Sequence, residues 1–225
     1  MSLADNLRTV LASIAAAATR AGREPGVVRL VAVTKTWPAE TVREIVEAGQ
    51  RALGENKVQE LLGKVPELPA EVEWHLIGHL QQNKTRKILP HCALIHSIDS
   101  ADLARQVSRL AGELGLTAKI LLQVNVANDD AKFGFPVSEA RASFGELIAL
   151  PHLEIRGLMT VPPYDEDLEK VRPHFKRLRE LRDELAAAHQ CDLPELSMGM
   201  SHDFAIAIEE GATLVRIGSS IFGHR

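Results

Sequence analysis

The chain has 225 residues, 45% hydrophobic, 25% charged and only 4% aromatic, which fits one large globular domain or two small ones. Its 26 Lys and Arg against 30 Asp and Glu leave a net charge of −4, which gives no support for a general nucleic-acid surface. No apolar run reaches transmembrane length, and the apolar stretch 10–18 follows Asp5 without the leading positive charge of a signal peptide.

The pattern in chain order alternates short aliphatic runs with helical segments. An amphipathic helix over 3–21 comes first, then a β-branched strand over 28–34 that ends at Lys35. A helix over 38–48 follows, with Pro38 suited to its first turn. A short strand over 51–53 leads into a helix over 55–62, a strand over 73–77 into a helix over 82–88, and a strand over 92–96 into a helix ending at 114. Asp99 is the expected N-cap of that last helix. The clearest strand is 118–126, followed by a helix over 138–149. Strand 153–159 leads into a long charged helix ending near His189, with Pro173 either kinking it or opening its main part. Strand 195–198, a helix over 204–210 and a strand over 213–217 complete the series.

Eight strands in this rhythm imply a (β/α)8 barrel of the α/β class with an extra N-terminal helix, residues 1–225 forming one domain and 1–26 its lead-in. A doubly wound open sheet is the competing architecture. Cys92 and Cys191 form no CxxC pattern, so a cytoplasmic location with two reduced structural thiols is expected.

In a barrel, the carboxyl ends of the strands share one mouth. They would bring together Lys35, Gly54-Glu55-Asn56, Gly78-His79, His96-Ser97, Asn125, Met159-Thr160, Gly199-Met200-Ser201 and Gly218-Ser219-Ser220. The last two turns have the character of an anion site, with hydroxyls, glycines and a helix start. Ser201 as a plain N-cap and Gly218 as a plain turn are the simpler alternatives. A strand-end lysine is an ion-pair partner or a carbonyl-capturing nucleophile. Beside phosphate-like turns it points to a Schiff-base aldolase of a phosphorylated sugar or to a pyridoxal phosphate (PLP) protein. Alternation places Arg216 on the face of Gly218. There a guanidinium needs an anion or a ring-nitrogen acceptor, unless it pairs with a carboxylate such as Glu55.

Other groupings are weaker. His75 and His79, four residues apart on an extended strand, lie roughly 13 Å apart and do not make a metal pair. His202-Asp203 reads as a helix start rather than a dyad, and the charged run 176–182 as a solvated helix face.

Eight segments in order carry a resemblance. They are Val-Ala-Val-Thr-Lys35-Thr, Leu-Gly-Glu55-Asn56-Lys-Val-Gln-Glu60, Trp74-His-Leu-Ile-Gly-His79-Leu-Gln81-Gln-Asn83-Lys84, His96-Ser-Ile-Asp99, Gln123-Val-Asn125, Arg156-Gly-Leu-Met159, Leu196-Ser-Met-Gly-Met-Ser201 and Val215-Arg216-Ile-Gly218. From residue 27 to 225 the chain resembles the pyridoxal phosphate homeostasis proteins. The resemblance implies a fold-type III PLP barrel related to the N-terminal domain of alanine racemase, with PLP held as a Schiff base on Lys35. It places the phosphate at Ser201, Gly218 and Ser219, the pyridine nitrogen opposite Arg216, and Asn56, His79 and Met159 nearby. Ser219 stands where the family often has threonine, His202 replaces a commonly acidic residue, and Ala131 departs from a commoner serine.

Racemisation needs an acid/base on each face of the α-carbon. In the alanine racemase relatives a tyrosine on an extra β domain supplies the second. This chain ends at Arg225, soon after its last strand, and its one tyrosine is Tyr164, in the loop after strand 153–159. An arginine at the ring nitrogen also weakens the electron sink. The expectation is a non-catalytic, monomeric PLP protein acting in vitamin B6 homeostasis, with PLP-dependent apoenzymes as possible partners. A small PLP-dependent racemase or lyase using Tyr164 or Lys84 is the alternative.

Overall fold

In a computed structural model, residues 2–129 and 131–223 are described; Arg225, where the resemblance ends, lies outside them. Eight parallel strands form the barrel: β1 (Arg29–Val33), β2 (Ala52–Glu55), β3 (Glu73–Leu76), β4 (Cys92–Ile98), β5 (Ala118–Asn125), β7 (Leu153–Met159), β8 (Glu195–Met200) and β9 (Leu214–Ile217). Each pairs with its neighbours in chain order, and closure comes from β9 against β1, with Leu30 opposite Val215. The join between β4 and β5 rules out the open sheet. A two-residue strand, β6 (Phe135–Pro136), adds to the edge of β5.

The strands are apolar on both faces because both are buried. Val31, Leu94, Leu121, Met159 and Leu214 form an inner cluster from five strands. Their neighbours Leu30, Ala32, Ile120, Leu122, Val215 and Ile217 belong to the outer core under the helices. That shell comprises α1 (Leu3–Arg20), α2 (Ala39–Glu47), α3 (Val58–Lys64), α4 (Thr85–Ile88), α5 (Ala101–Glu113), α6 (Val137–Ile148), α7 (Leu168–His189), α8 (Phe204–Glu209) and α9 (Ser219–Phe222). Helix α1 starts in a reciprocal cap, Ser2 Oγ accepting from Asp5 N–H while the Asp5 carboxylate accepts from Ser2 N–H. It buries Leu7, Val10, Ile14, Ala17 and Ala18.

Four local expectations are corrected. Glu55 belongs to β2, not to the following helix: its register opposite Leu76 extends the strand, and its side chain leaves the barrel to meet Lys64 at 2.5 Å and Thr34 Oγ1 at 2.6 Å. The expected helix over 82–88 is one α-turn flanked by two 3₁₀ turns, the second containing Pro90, which has no N–H to continue an α ladder. Ser100, not Asp99, caps α5 by accepting from Leu103 N–H, since the Asp99 carboxylate is taken by His79. Pro38 is the N-cap residue of α2 rather than part of its first turn. Pro173 lies inside α7. Burial pushes the Cys92 thiol up to about 12, consistent with a structural role.

Candidate cofactor site at the barrel mouth

Lys35 follows β1 in an exposed turn, where Trp37 N–H donates back to Thr34 carbonyl at 3.2 Å. The next residue, Thr36, has φ of 67°, an uncommon conformation for a β-branched residue. Its N–H donates to Glu60 Oε2 of α3 at 2.8 Å, which fixes the turn and holds the Glu60 carboxyl below its usual range. Lys35 makes no ion pair or side-chain hydrogen bond among the described residues.

The amine opens into a cavity of about 210 Å³ walled by Val33, Thr36, Trp37, Gly218, Ser219 and Gly223. Among the described residues, Lys35 is the only ionisable group in that wall. A Cβ built on Gly218 would lie 3.1 Å from Val33 carbonyl oxygen and 3.2 Å from its Cβ, so the turn after β9 runs hard against the end of β1. Gly218 leads straight into α9, and the first-turn N–H groups of Ser219 and Ser220 have no intrahelical acceptor. The Ser219 hydroxyl makes no hydrogen bond among the described residues.

A neighbouring cavity of about 280 Å³ joins Asn56 and His79 with Lys57 and Lys84. Gly78 makes that approach possible, since a Cβ there would lie 2.3 Å from Asn56 carbonyl oxygen. The His79 ring is positioned from two sides: Nδ1 bonds Asp99 Oδ2 at 2.9 Å, and Phe133 stacks on it with centroids 4.1 Å apart. His75, by contrast, is buried inside the barrel against His96.

Arg216 is buried in the barrel interior and, among the described residues, pairs with no carboxylate. Its Nη1 donates to Ser197 Oγ at 2.6 Å and its Nη2 to Thr160 carbonyl at 2.9 Å. Burial lowers the guanidinium to about 10, which still leaves it charged near neutrality. Met159 packs in the inner apolar cluster. Ser201 lies in the turn after β8, opposite the strand end where Met200 is in register with Arg216. It is not the N-cap of α8; that residue is Asp203, whose carboxylate accepts from Met200 N–H at 2.6 Å. Tyr164 is 75% exposed in its loop, with its ring beside that of His202.

Lys35, Gly218 and Ser219 thus share one cavity, Asn56 and His79 share the next, and Arg216 and Met159 sit within the barrel. The sequence reading did not single out Thr36 and Glu60 at the lysine turn, Phe133 over His79, or Ser197 holding Arg216. Glu60 and Ser197 stand inside the recognised segments, so only their pairing was hidden.

The alanine racemase N-terminal domain family matches residues 6–225. A pyridoxal phosphate homeostasis protein of Aquifex aeolicus is 44% identical over 226 residues, covering 100% of this chain and 99% of the relative. One of Pseudomonas aeruginosa is also 44% identical, covering 100% of this chain and 96% of its own. Among solved structures, PipY of Synechococcus elongatus with PLP bound superposes with a TM-score of 0.87 at 40% identity, covering 98% of this chain and all of that one. The closed barrel, the full-length likeness and the ordered segments agree, and the chain belongs to the pyridoxal phosphate homeostasis protein family, built on the alanine racemase N-terminal domain.

Proposed function

We propose that this protein binds pyridoxal 5'-phosphate at Lys35 and holds it without catalysing amino-acid chemistry, serving vitamin B6 homeostasis inside the cell. The observation that carries the reading is an accessible, unpaired Lys35 amine sharing a cavity with Gly218 and Ser219 at the carboxyl edge of the barrel. The residues suit the cofactor. Gly218 leaves a close cradle that a Cβ would crowd, and the Ser219 hydroxyl is uncommitted. Arg216 is fixed as a buried donor on the same strand face.

In this reading Lys35 is the amine that holds the cofactor's aldehyde. Ser201, Gly218 and Ser219 receive the phosphate, Arg216 faces the pyridine nitrogen, and Met159, Asn56 and His79 border the ring. When bound, PLP supplies a reactive aldehyde and an electron-accepting ring. Arg216, charged near neutrality, would offer the ring nitrogen a hydrogen bond rather than a proton, which would limit that acceptance. Among the described residues, the cavity wall offers no second acid/base beside Lys35, and Tyr164 is out in solvent. Both features favour holding over turnover.

A small racemase or lyase is the second reading, favoured by one observation: Lys84 and His79 border the adjacent cavity. Two measurements test the proposal, and the second separates the readings. Titrating PLP into the protein should produce a saturable shift of cofactor absorbance, and Lys35→Ala should abolish it; an unchanged shift in the variant would remove Lys35 from the role. Incubation of the loaded protein with amino acids in deuterated water should leave the α-proton unexchanged on an enzymatic timescale; rapid exchange favours the enzyme.

A further inference from the structure

A third cavity opens at the opposite end of the barrel, where the strands begin. It has a volume of about 340 Å³ and is bordered by Arg29, Glu73, His75, Lys119, Arg156 and Glu195. This size is at the low end for small-ligand pockets. Its roof is His75, only 2% exposed.

The hydrogen-bond chain above the cavity has one direction. Arg216 has only donors, so Ser197 Oγ accepts from it at 2.6 Å. Ser197 Oγ could accept a second bond, but its buried hydroxyl proton has no other acceptor among the described residues, so it goes to His96 Nδ1, 2.8 Å away. With Nδ1 accepting, neutral His96 carries its proton on Nε2 and donates to His75 Nδ1, also at 2.8 Å. His75 in turn must carry its proton on Nε2. Both rings are neutral, since burial lowers His75 to about 4 and His96 well below its ordinary value. Among the described residues, His75 Nε2–H has no protein acceptor. A guanidinium near the mouth therefore presents, through three side chains, an N–H donor to the floor.

The charges around that donor are largely accounted for. Glu195 accepts from Arg29 at 2.5 Å and from Thr213 at 2.7 Å. Arg156 meets Glu154 at 2.9 Å. Lys119 and Glu73 make no ion pair among the described residues. Counting Glu154, three cations meet three carboxylates, and the groups left without a partner among the described residues are the Lys119 ammonium, the Glu73 carboxylate and the His75 N–H that faces the cavity.

We propose that this floor cavity binds a small oxyanion, a carboxylate or a phosphate, with His75 Nε2–H and Lys119 as its donors. Glu73 opposes the charge and moderates the affinity. The site lies at the other end of the barrel from Lys35 and does not rest on what the mouth holds.

The test is nuclear magnetic resonance of the protein labelled with ¹⁵N in its histidine rings, at constant ionic strength. Acetate and inorganic phosphate are titrated separately, and the ion that saturates at lower concentration identifies the source. The expected result is a saturable shift of the His75 Nε2 resonance. Lys119→Met should weaken binding about ten-fold, the loss of one charge-assisted contact, and Glu73→Gln should tighten it. Both substitutions are at exposed positions, so the fold is retained. A shift that is absent or never saturates, one indifferent to Lys119→Met, or one weakened by Glu73→Gln overturns the proposal.

Discussion

Thr36 shows what a single residue contributes at this mouth. A threonine at φ 67° costs about 1–3 kcal/mol, and the bond from its N–H to Glu60 offsets part of it. Glu60→Ala should therefore loosen the Lys35 turn. The expected outcome is PLP affinity reduced severalfold in an absorbance titration, with stability changed by no more than about 1 kcal/mol in denaturant unfolding; unchanged affinity would remove Glu60 from this positioning role. Lys35 was legible from sequence because it ends a β-branched run. The Thr36 conformation was not, because no local preference of threonine favours it and the acceptor comes from another helix. The same holds for His75 and His96, whose meeting depends on barrel curvature. Their burial has a pH consequence. A ring held at about 4 when folded and near 6.5 when unfolded is protonated first in the unfolded chain. Stability should thus fall as pH drops from about 6.5 towards 4, by about 3 kcal/mol for His75 alone. Denaturant midpoints measured across that range check the slope, and His75→Gln should flatten part of it.

At the scale of elements, the strands read clearly where burial makes both faces apolar. Strand β5, with Ile120 and Leu122 facing the helices and Leu121 the interior, is the clearest case. The element boundaries that differ from the sequence expectation fall where a polar side chain carries a helix-like signal. Glu55 and Asp99 each have a tertiary partner, Lys64 and His79, that no local pattern announces. Strand β6 has two residues and exists only as an addition to β5, too short for any periodicity. The loops between elements depend on close approaches. Gly78 touches the Asn56 backbone, so Gly78→Ala forces the two turns apart. The expected cost is about 1–3 kcal/mol, together with a broadened His79 ring resonance as its contacts with Asp99 and Phe133 change. An unaltered His79 signal would show that the turn yields without moving the site.

Across the whole molecule, chain-order pairing and the β1–β9 closure gather residues from distant segments onto one edge. That is why Lys35 and Gly218, far apart in the chain, line one cavity, and Asn56 and His79 another. The order of the motifs made the family legible, and the count of βα units made the barrel legible. The division of the mouth into two cavities and the polar chain through the interior were not, since both depend on which side chains meet across the barrel. The central claim is that Lys35 holds PLP. Borohydride reduction of the PLP-loaded protein, followed by peptide mass analysis, tests it most directly. A pyridoxyl group on the peptide containing Lys35, and on no other in stoichiometric amount, is the predicted result; an unmodified Lys35 peptide, or the label on Lys84 instead, would contradict it.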